Sequence, residues 1–379
     1  MSRKGKADVV IIGAGVIGCA IARELALRGL AVSVVERDSP GRRATWAAAG
    51  MLSPFGEGGR GAFLELADES LTRFAAFAHA LHEETSIDVE YRTSGKLHVA
   101  LGDIDDELRA LAADPAARRF DATPVDGPRA RALEPALSDE VTSGLMVGRD
   151  HRVNNRLLAQ ALLAAATAAG ATFRTANPVA ALSVRHGAVQ GVRLGSGEHI
   201  EAPMVVVAAG AWSGALEGLP RVLPVRPVKG QMFSVDARGR TAERTTDAAI
   251  ERVIFARDCY IIPRDDGRLL VGATQEDVGF RKGPTPRGIG TLMDAATRVL
   301  PGIADMPLVE TWAGFRPATP DGLPILGPDP GTTGLVYATG HFRNGILLAP
   351  VTALCIAEMA TGGRPPVPLD AFAITRFAR

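Results

Sequence analysis

Residues 8–36 open Asp8-Val-Val-Ile-Ile-Gly13-Ala-Gly15-Val-Ile-Gly18 and close on Val34-Val35-Glu36. Val9 to Ile12 is a short, wholly apolar run of the length a buried parallel strand needs. Gly13, Gly15 and Gly18 follow as G-x-G-x-x-G. The first Gly permits a tight turn. The second lets a pyrophosphate reach the backbone, and the third lets helix and strand pack closely. Val16 to Arg28 reads as the next helix, stopped by Gly29, with its N-terminal amides facing the phosphates. Ala31 to Val35 is a second strand, and Glu36 at its end is placed to accept from a ribose hydroxyl. Strand, glycines, helix, strand and acid in that order indicate a dinucleotide site. The acid argues against a ribose 2′-phosphate. NAD and FAD both remain open from this segment.

Composition sets outer limits. The chain has 379 residues, 46% hydrophobic and 22% charged, which is ordinary globular composition and enough for two domains. Lys plus Arg equals Asp plus Glu at 42 each, so nothing points to nucleic acid. The glycines cluster near 13, 210, 314 and 340, as suits backbone approaching a large cofactor. Cys19, Cys259 and Cys355 are isolated, form neither a C-x-x-C nor a disulfide framework, and imply a reducing cytoplasm. No metal is expected. Arg3, Lys4 and Lys6 before an apolar run imitate a signal peptide, but the intact glycine spacing outweighs that reading. Residues 345–360 are apolar yet too short to span a bilayer, and Pro350 interrupts them.

Along the chain, residues 37–52 read as a loop in which Ala47, Ala48, Ala49 and Gly50 permit a flat ring to approach. Residues 62–84 form an amphipathic helix with Phe63, Leu64, Leu71, Phe74, Phe77 and Leu81 as core. Arg92 to Leu101 alternates like a strand, residues 103–113 read as an acidic-faced helix, and Asp114 to Pro135 as a loop with a short helix. The Asp103 to Asp106 cluster reads as a solvated face, and His98 as structural. Asn154 or Asn155 caps a helix that ends at Gly170. Residues 171–174, 179–185, 189–194 and 199–201 suggest a β-meander, followed by a buried strand at 204–208 that ends in small residues. Residues 225–235, 250–254, 260–263 and 269–272 suggest strands of a second sheet, with a helix over 286–300. From Gly322 the chain returns to the first unit, with a strand at 335–339 and a helix after Asn344.

Three stretches remain: Cys259-Tyr-Ile-Ile-Pro-Arg264, Thr311-Trp-Ala-Gly-Phe-Arg-Pro317 and Ala338-Thr-Gly-His-Phe-Arg-Asn-Gly-Ile-Leu-Leu-Ala-Pro350. With these the chain resembles the FAD-dependent amine oxidoreductases of the D-amino-acid oxidase group, most closely the glycine oxidases of thiamine biosynthesis. The resemblance runs from the N-terminal glycines to Pro350. It implies an α/β architecture: a Rossmann-type FAD-binding domain (1–85, 148–221 and 316–379) and a second α+β domain on a mostly antiparallel sheet (86–147 and 222–315), which binds substrate. It implies FAD held without a covalent link, a small amino-acid substrate, oxygen as acceptor, and a homotetramer with no membrane span.

By the same resemblance Arg316 anchors the substrate carboxylate, a task suited to a planar guanidinium. Tyr260 assists it, Arg343 adds positive field at the mouth, and Met51 lines the cavity. The implied cofactor contacts are Gly13, Ala14, Gly15, Val16, Ile17, Gly18, Glu36, Arg37, Thr45, Ala47, Ala48, Ala49, Gly50, Met51, Val179, Ala209, Gly210, Trp212, Gly314, His341, Phe342, Arg343, Asn344, Gly345 and Ile346. His341 precedes a helix and is read as packing there. Hydride transfer to the flavin with a neutral amine requires no acid–base residue, and the helix after Asn344 would stabilise charge on the reduced ring. The implied activity is oxidative deamination of glycine, sarcosine or a small D-amino acid with formation of peroxide. The alternative is a dehydrogenase that passes electrons to a non-oxygen acceptor.

Overall fold

A computed structural model describes residues 6–57, 59–102, 106–238 and 250–377. Residues 103–105 of the acidic cluster, and Arg3 and Lys4, lie outside the described residues. Two large sheets organise the rest. The first has six strands in the order 325–328, 335–339, 204–207, 9–12, 32–35, 172–174. Val9–Ile12 runs parallel to both Val32–Val35 and Met204–Val207. All four residues of Val9–Ile12, and of Val32–Val35, are buried. Strands covered on both faces have no polar side to show, so the sequence shows no alternation there.

Helices Val16–Leu27, Gly61–Thr85, Asn155–Ala168 and Ala349–Ala360 cover one face of this sheet and share one apolar cluster. Phe74, Leu71 and Leu81 sit in it as expected, with Phe63 and Phe77 packed at its edge. Asn154 is the cap of its helix, its side chain accepting from the amides of Arg156 and Leu157 at 3.1 and 3.3 Å. The opposite face carries a three-stranded antiparallel meander, 179–185, 188–194 and 199–201. Residues 172–174 are not part of that meander. They pair parallel to Ser33–Val35 at the edge of the first sheet.

The second sheet has eight strands in the order 308–318, 226–236, 268–272, 260–263, 253–255, 96–101, 141–147, 122–126. Every pairing is antiparallel except that of 253–255 with 96–101. Helix Pro286–Val299 covers it through Ile289, Leu292, Ala296 and Val299. Three of these strands depart from the sequence reading. Ala122–Asp126, read as loop, is an edge strand whose residues are half or fully exposed, so it lacks an apolar pattern. Val141–Val147 was not marked as a strand, its period broken by Ser143 and Gly144. Leu308–Ala318 is one eleven-residue strand, within which the expected boundary at 316 falls.

The last helix also begins later than expected, at Ala349 rather than after Asn344. Pro350 has no N–H to give to Ile346, so a regular helix cannot run through it, whereas the first turn tolerates it. Residues 341–348 are instead a series of turns. Within the loop after Glu36, Ala44–Ala47 closes as a single helical turn. No helix among the described residues is long and apolar enough to cross a membrane.

Candidate functional site

One elongated cavity of about 330 Å³ runs between the two sheets. At its first end the chain offers mostly backbone. Gly13 has φ +106°, and a Cβ there would stand 2.5 Å from the Ala208 carbonyl oxygen. A Cβ on Gly18 would meet the Gly13 carbonyl oxygen at 1.9 Å, so helix and strand touch because both residues lack side chains. Glu36 is buried, and its two carboxylate oxygens accept from the amides of Ala14 (2.8 Å) and Asp38 (3.0 Å). Those bonds fix its orientation at the cavity wall. The Val16 amide, the first of its helix, is taken by Thr45 Oγ1 at 2.9 Å. Arg37 lies over the Trp212 ring at 3.8 Å, and Trp212 stacks on Phe280 at 4.9 Å.

Midway, Ala47 to Met51 form a flat wall. The strand 308–318 lies flush against it: a Cβ on Gly314 would be 2.4 Å from that of Ala47. At the far end the second sheet supplies side chains. Tyr260 is buried; its hydroxyl donates to Met232 Sδ at 3.8 Å. Burial pushes its phenol above the usual range, against the opposing pull of Arg316. The Arg316 guanidinium lies flat on Gly230, where a Cβ would be 2.4 Å from Nη1. Its Nη1 donates to the Thr274 carbonyl at 3.0 Å. Among the described residues no carboxylate oxygen comes within 4.0 Å of it. Arg343, in contrast, pairs with Glu57 at 2.8 Å.

His341 is buried with Nε2 3.1 Å from Thr352 Oγ1, and burial lowers its pKa to about 3. It is a neutral packing group that also touches the cavity. Of the residues expected to meet cofactor or substrate, all but Ala14, Gly18 and Asn344 line the cavity. Those three stand behind the wall: Ala14 holds Glu36, Gly18 permits the helix contact, and the Asn344 amide donates to the His341 carbonyl. Glu57, Gly230 and Met232 line the cavity without having been expected. Register is the one signal that could have found Gly230, since it faces Gly314 across the strand pair.

The donors suit an FAD. An acid stands at one end, glycine backbone and helix start follow, and a small-residue wall leads to a basic, partly apolar end. Cys19, Cys259 and Cys355 are buried and none lines the cavity, which fits a cofactor held without a covalent bond. Residues 8–359 match the family of FAD dependent oxidoreductases that includes D-amino-acid oxidase. The chain belongs to this family. The nucleotide that the glycine motif left open is therefore FAD. It is 38% identical to the glycine oxidase of Pseudomonas aeruginosa over 361 residues, 94% of this chain and 95% of that protein. It is 39% identical to the bifunctional protein ThiO/ThiG of Trichormus variabilis over 98% of its own length. It spans about half the length (55%) of that bifunctional relative. The crystal structure of glycine oxidase from Geobacillus kaustophilus superposes with a TM-score of 0.90 at 32% identity, covering 99% of this chain and 100% of that one.

Proposed function

We propose that this chain catalyses oxidative deamination of glycine or a comparably small amine or D-amino acid such as sarcosine or D-alanine. The observation that carries the proposal is Arg316: a guanidinium on the wall of the FAD cavity with no carboxylate of its own among the described residues. Two parallel bonds from it would hold a substrate carboxylate, a charged contact worth about 1.5–3 kcal/mol. Tyr260 adds a hydroxyl donor; its raised pKa keeps it protonated, so it orients rather than abstracts. Arg343 contributes less charge because Glu57 neutralises it. Met51 and Met232 give that end apolar walls, which favour a neutral amine and exclude water. FAD supplies the two-electron acceptor for the hydride that leaves the substrate Cα. No general base is required, and His341, held by Thr352, is not one.

Water and oxygen complete the balance: a primary amino acid, oxygen and water give 2-oxo acid, ammonia and hydrogen peroxide, and sarcosine gives methylamine in place of ammonia. The resemblance to glycine oxidases of thiamine biosynthesis supports use of the imine in making the thiazole ring. We place the protein in the cytoplasm as a homotetramer. Residues 1–85, 148–221 and 316–379 are assigned to the cofactor, and 86–147 and 222–315 to the substrate.

The test is the visible spectrum of the oxygen-free protein before and after glycine, with air then readmitted. Bleaching followed by recolouring with peroxide supports the proposal. Bleaching that air does not reverse would make the chain a dehydrogenase with another acceptor. A spectrum unmoved by glycine, sarcosine and D-alanine would overturn the substrate class.

A further inference from the structure

Arg264 ends the strand 260–263 and is only 5% exposed. Its side chain does not line the cavity and meets the Ala47–Met51 wall through the Ala49 carbonyl. Nη1 donates to the Val153 carbonyl at 2.6 Å. Nη2 donates to the Ala49 carbonyl at 2.9 Å and to Asn155 Oδ1 at 2.8 Å. Asn155, itself 1% exposed, donates through Nδ2 to the carbonyls of Thr45 (2.7 Å) and Trp46 (3.1 Å). Two buried side chains therefore hold three carbonyls of the loop whose other side faces the FAD cavity.

The charge of Arg264 is the unusual part. Its basic neighbours each have an acid: Arg152 with Asp265 (3.3 Å), Arg156 with Glu310 (2.8 Å), Arg268 with Asp266 (2.7 Å). Among the described residues no carboxylate oxygen lies within 4.0 Å of Arg264. The three neighbouring arginines oppose its charge, and Glu90 favours it from further off. Burial lowers its pKa to about 10, which still leaves it charged at neutral pH. A free anion cannot neutralise it either: the hole beside it, bordered by Arg156, Arg268 and Trp312, has about 10 Å³, room for one water at most. A buried cation bonded only to neutral oxygens is costly unless its field is used.

We propose that Arg264 is a positioning residue for FAD: it fixes the 45–49 loop against the cofactor, and its uncompensated charge favours the reduced, more negative form. This rests on the placement of FAD beside that loop, not on the identity of the amine. Two measurements test it. FAD affinity comes from reconstitution of apoprotein followed by flavin fluorescence. The reduction equilibrium comes from titration against a reference dye with dithionite and no amino acid.

Arg264→Gln is expected to weaken FAD binding about 10- to 100-fold, the loss typical of charged hydrogen bonds. It is also expected to shift the dye equilibrium about tenfold toward oxidised FAD, since one charge acting through protein is lost. Arg264→Lys keeps the charge but not the fork, so it should weaken binding yet restore the dye equilibrium. Wild-type affinity and equilibrium in Arg264→Gln would overturn the inference. So would equal dye shifts in the Gln and Lys variants, which would mark a purely structural role. If Arg264→Gln does not fold, Arg264→Lys decides alone: an altered dye equilibrium refutes the role of charge. Because the dye titration uses no amine, a wrong substrate class leaves this result intact.

Discussion

The two sheets meet the same cavity with different materials. The parallel sheet presents backbone: Gly13, Gly15 and the small residues after Val207 leave room for a large flat ligand. The eight-stranded sheet presents side chains: Tyr260 and Arg316, more than fifty positions apart in sequence, come from different strands. A backbone site depends on the absence of Cβ atoms at fixed spacing, so it is intolerant of additions. A side-chain site depends on a few groups in register, so it is sensitive to removals.

The sharpest way to break this contrast is to add atoms to the first end. Gly18→Val puts a Cβ 1.9 Å from the Gly13 carbonyl oxygen, which only backbone movement can relieve. The expected result is protein that no longer retains FAD on gel filtration, or that fails to fold. A yellow, stable Gly18→Val protein would mean that the helix start is not tied to the glycine turn.

At the other end, removing atoms should spare the fold and change one constant. Arg316→Met is expected to raise KM for a carboxylate-bearing amine about 10- to 100-fold. The FAD spectrum should be unchanged, since among the described residues Arg316 has no carboxylate partner to strand. Steady-state kinetics and the flavin spectrum together decide it.

His341, buried on the cavity wall, gives a pH test. Unfolded, it takes a proton near 6.5; folded, near 3. Between those values the unfolded chain binds more protons, so stability present above pH 6.5 falls as pH drops, by about 1.4 kcal/mol per unit. Urea titrations of His341→Gln should show a flatter decline over that range than the parent. Parallel declines would place the acid sensitivity elsewhere.

The smallest effect belongs to Tyr260→Phe. The hydroxyl has a long contact with Met232 Sδ and a weak interaction with Arg316, and its loss should cost about 1 kcal/mol, a roughly five-fold rise in KM. A loss as large as that of Arg316→Met would make Tyr260 an equal anchor.

The same contrast governs what could be read in advance. The βαβ unit was legible because its rules are local: strand, three glycines, helix and acid lie within thirty residues. The helix caps at Asn154 and Gly170 were legible for the same reason. The edge strand 122–126 was not, because edge residues face water and carry no period. Arg316, Tyr260 and Arg343 came from resemblance, since nothing local announces that residues 260, 316 and 343 share a cavity. Glu57 and Gly230 escaped because their meaning lies in partners 286 and 86 positions away, Arg343 and Arg316. The late start of the last helix was readable from Pro350 but was outweighed by the apolar run.

The cavity wall takes residues from Ile12 to Ile346. The strand 204–207 lies between 9–12 and 335–339, and the helix 349–360 packs beside the helix 16–27. The strand before the glycine motif pairs with 32–35, close by in sequence, and with 204–207, about two hundred residues on, while the cavity they border draws on residues as far as Ile346. Cofactor loading thus draws together stretches that lie far apart along the chain. A product that stops short of Gly314 lacks the last stretch of that wall and the means to become yellow.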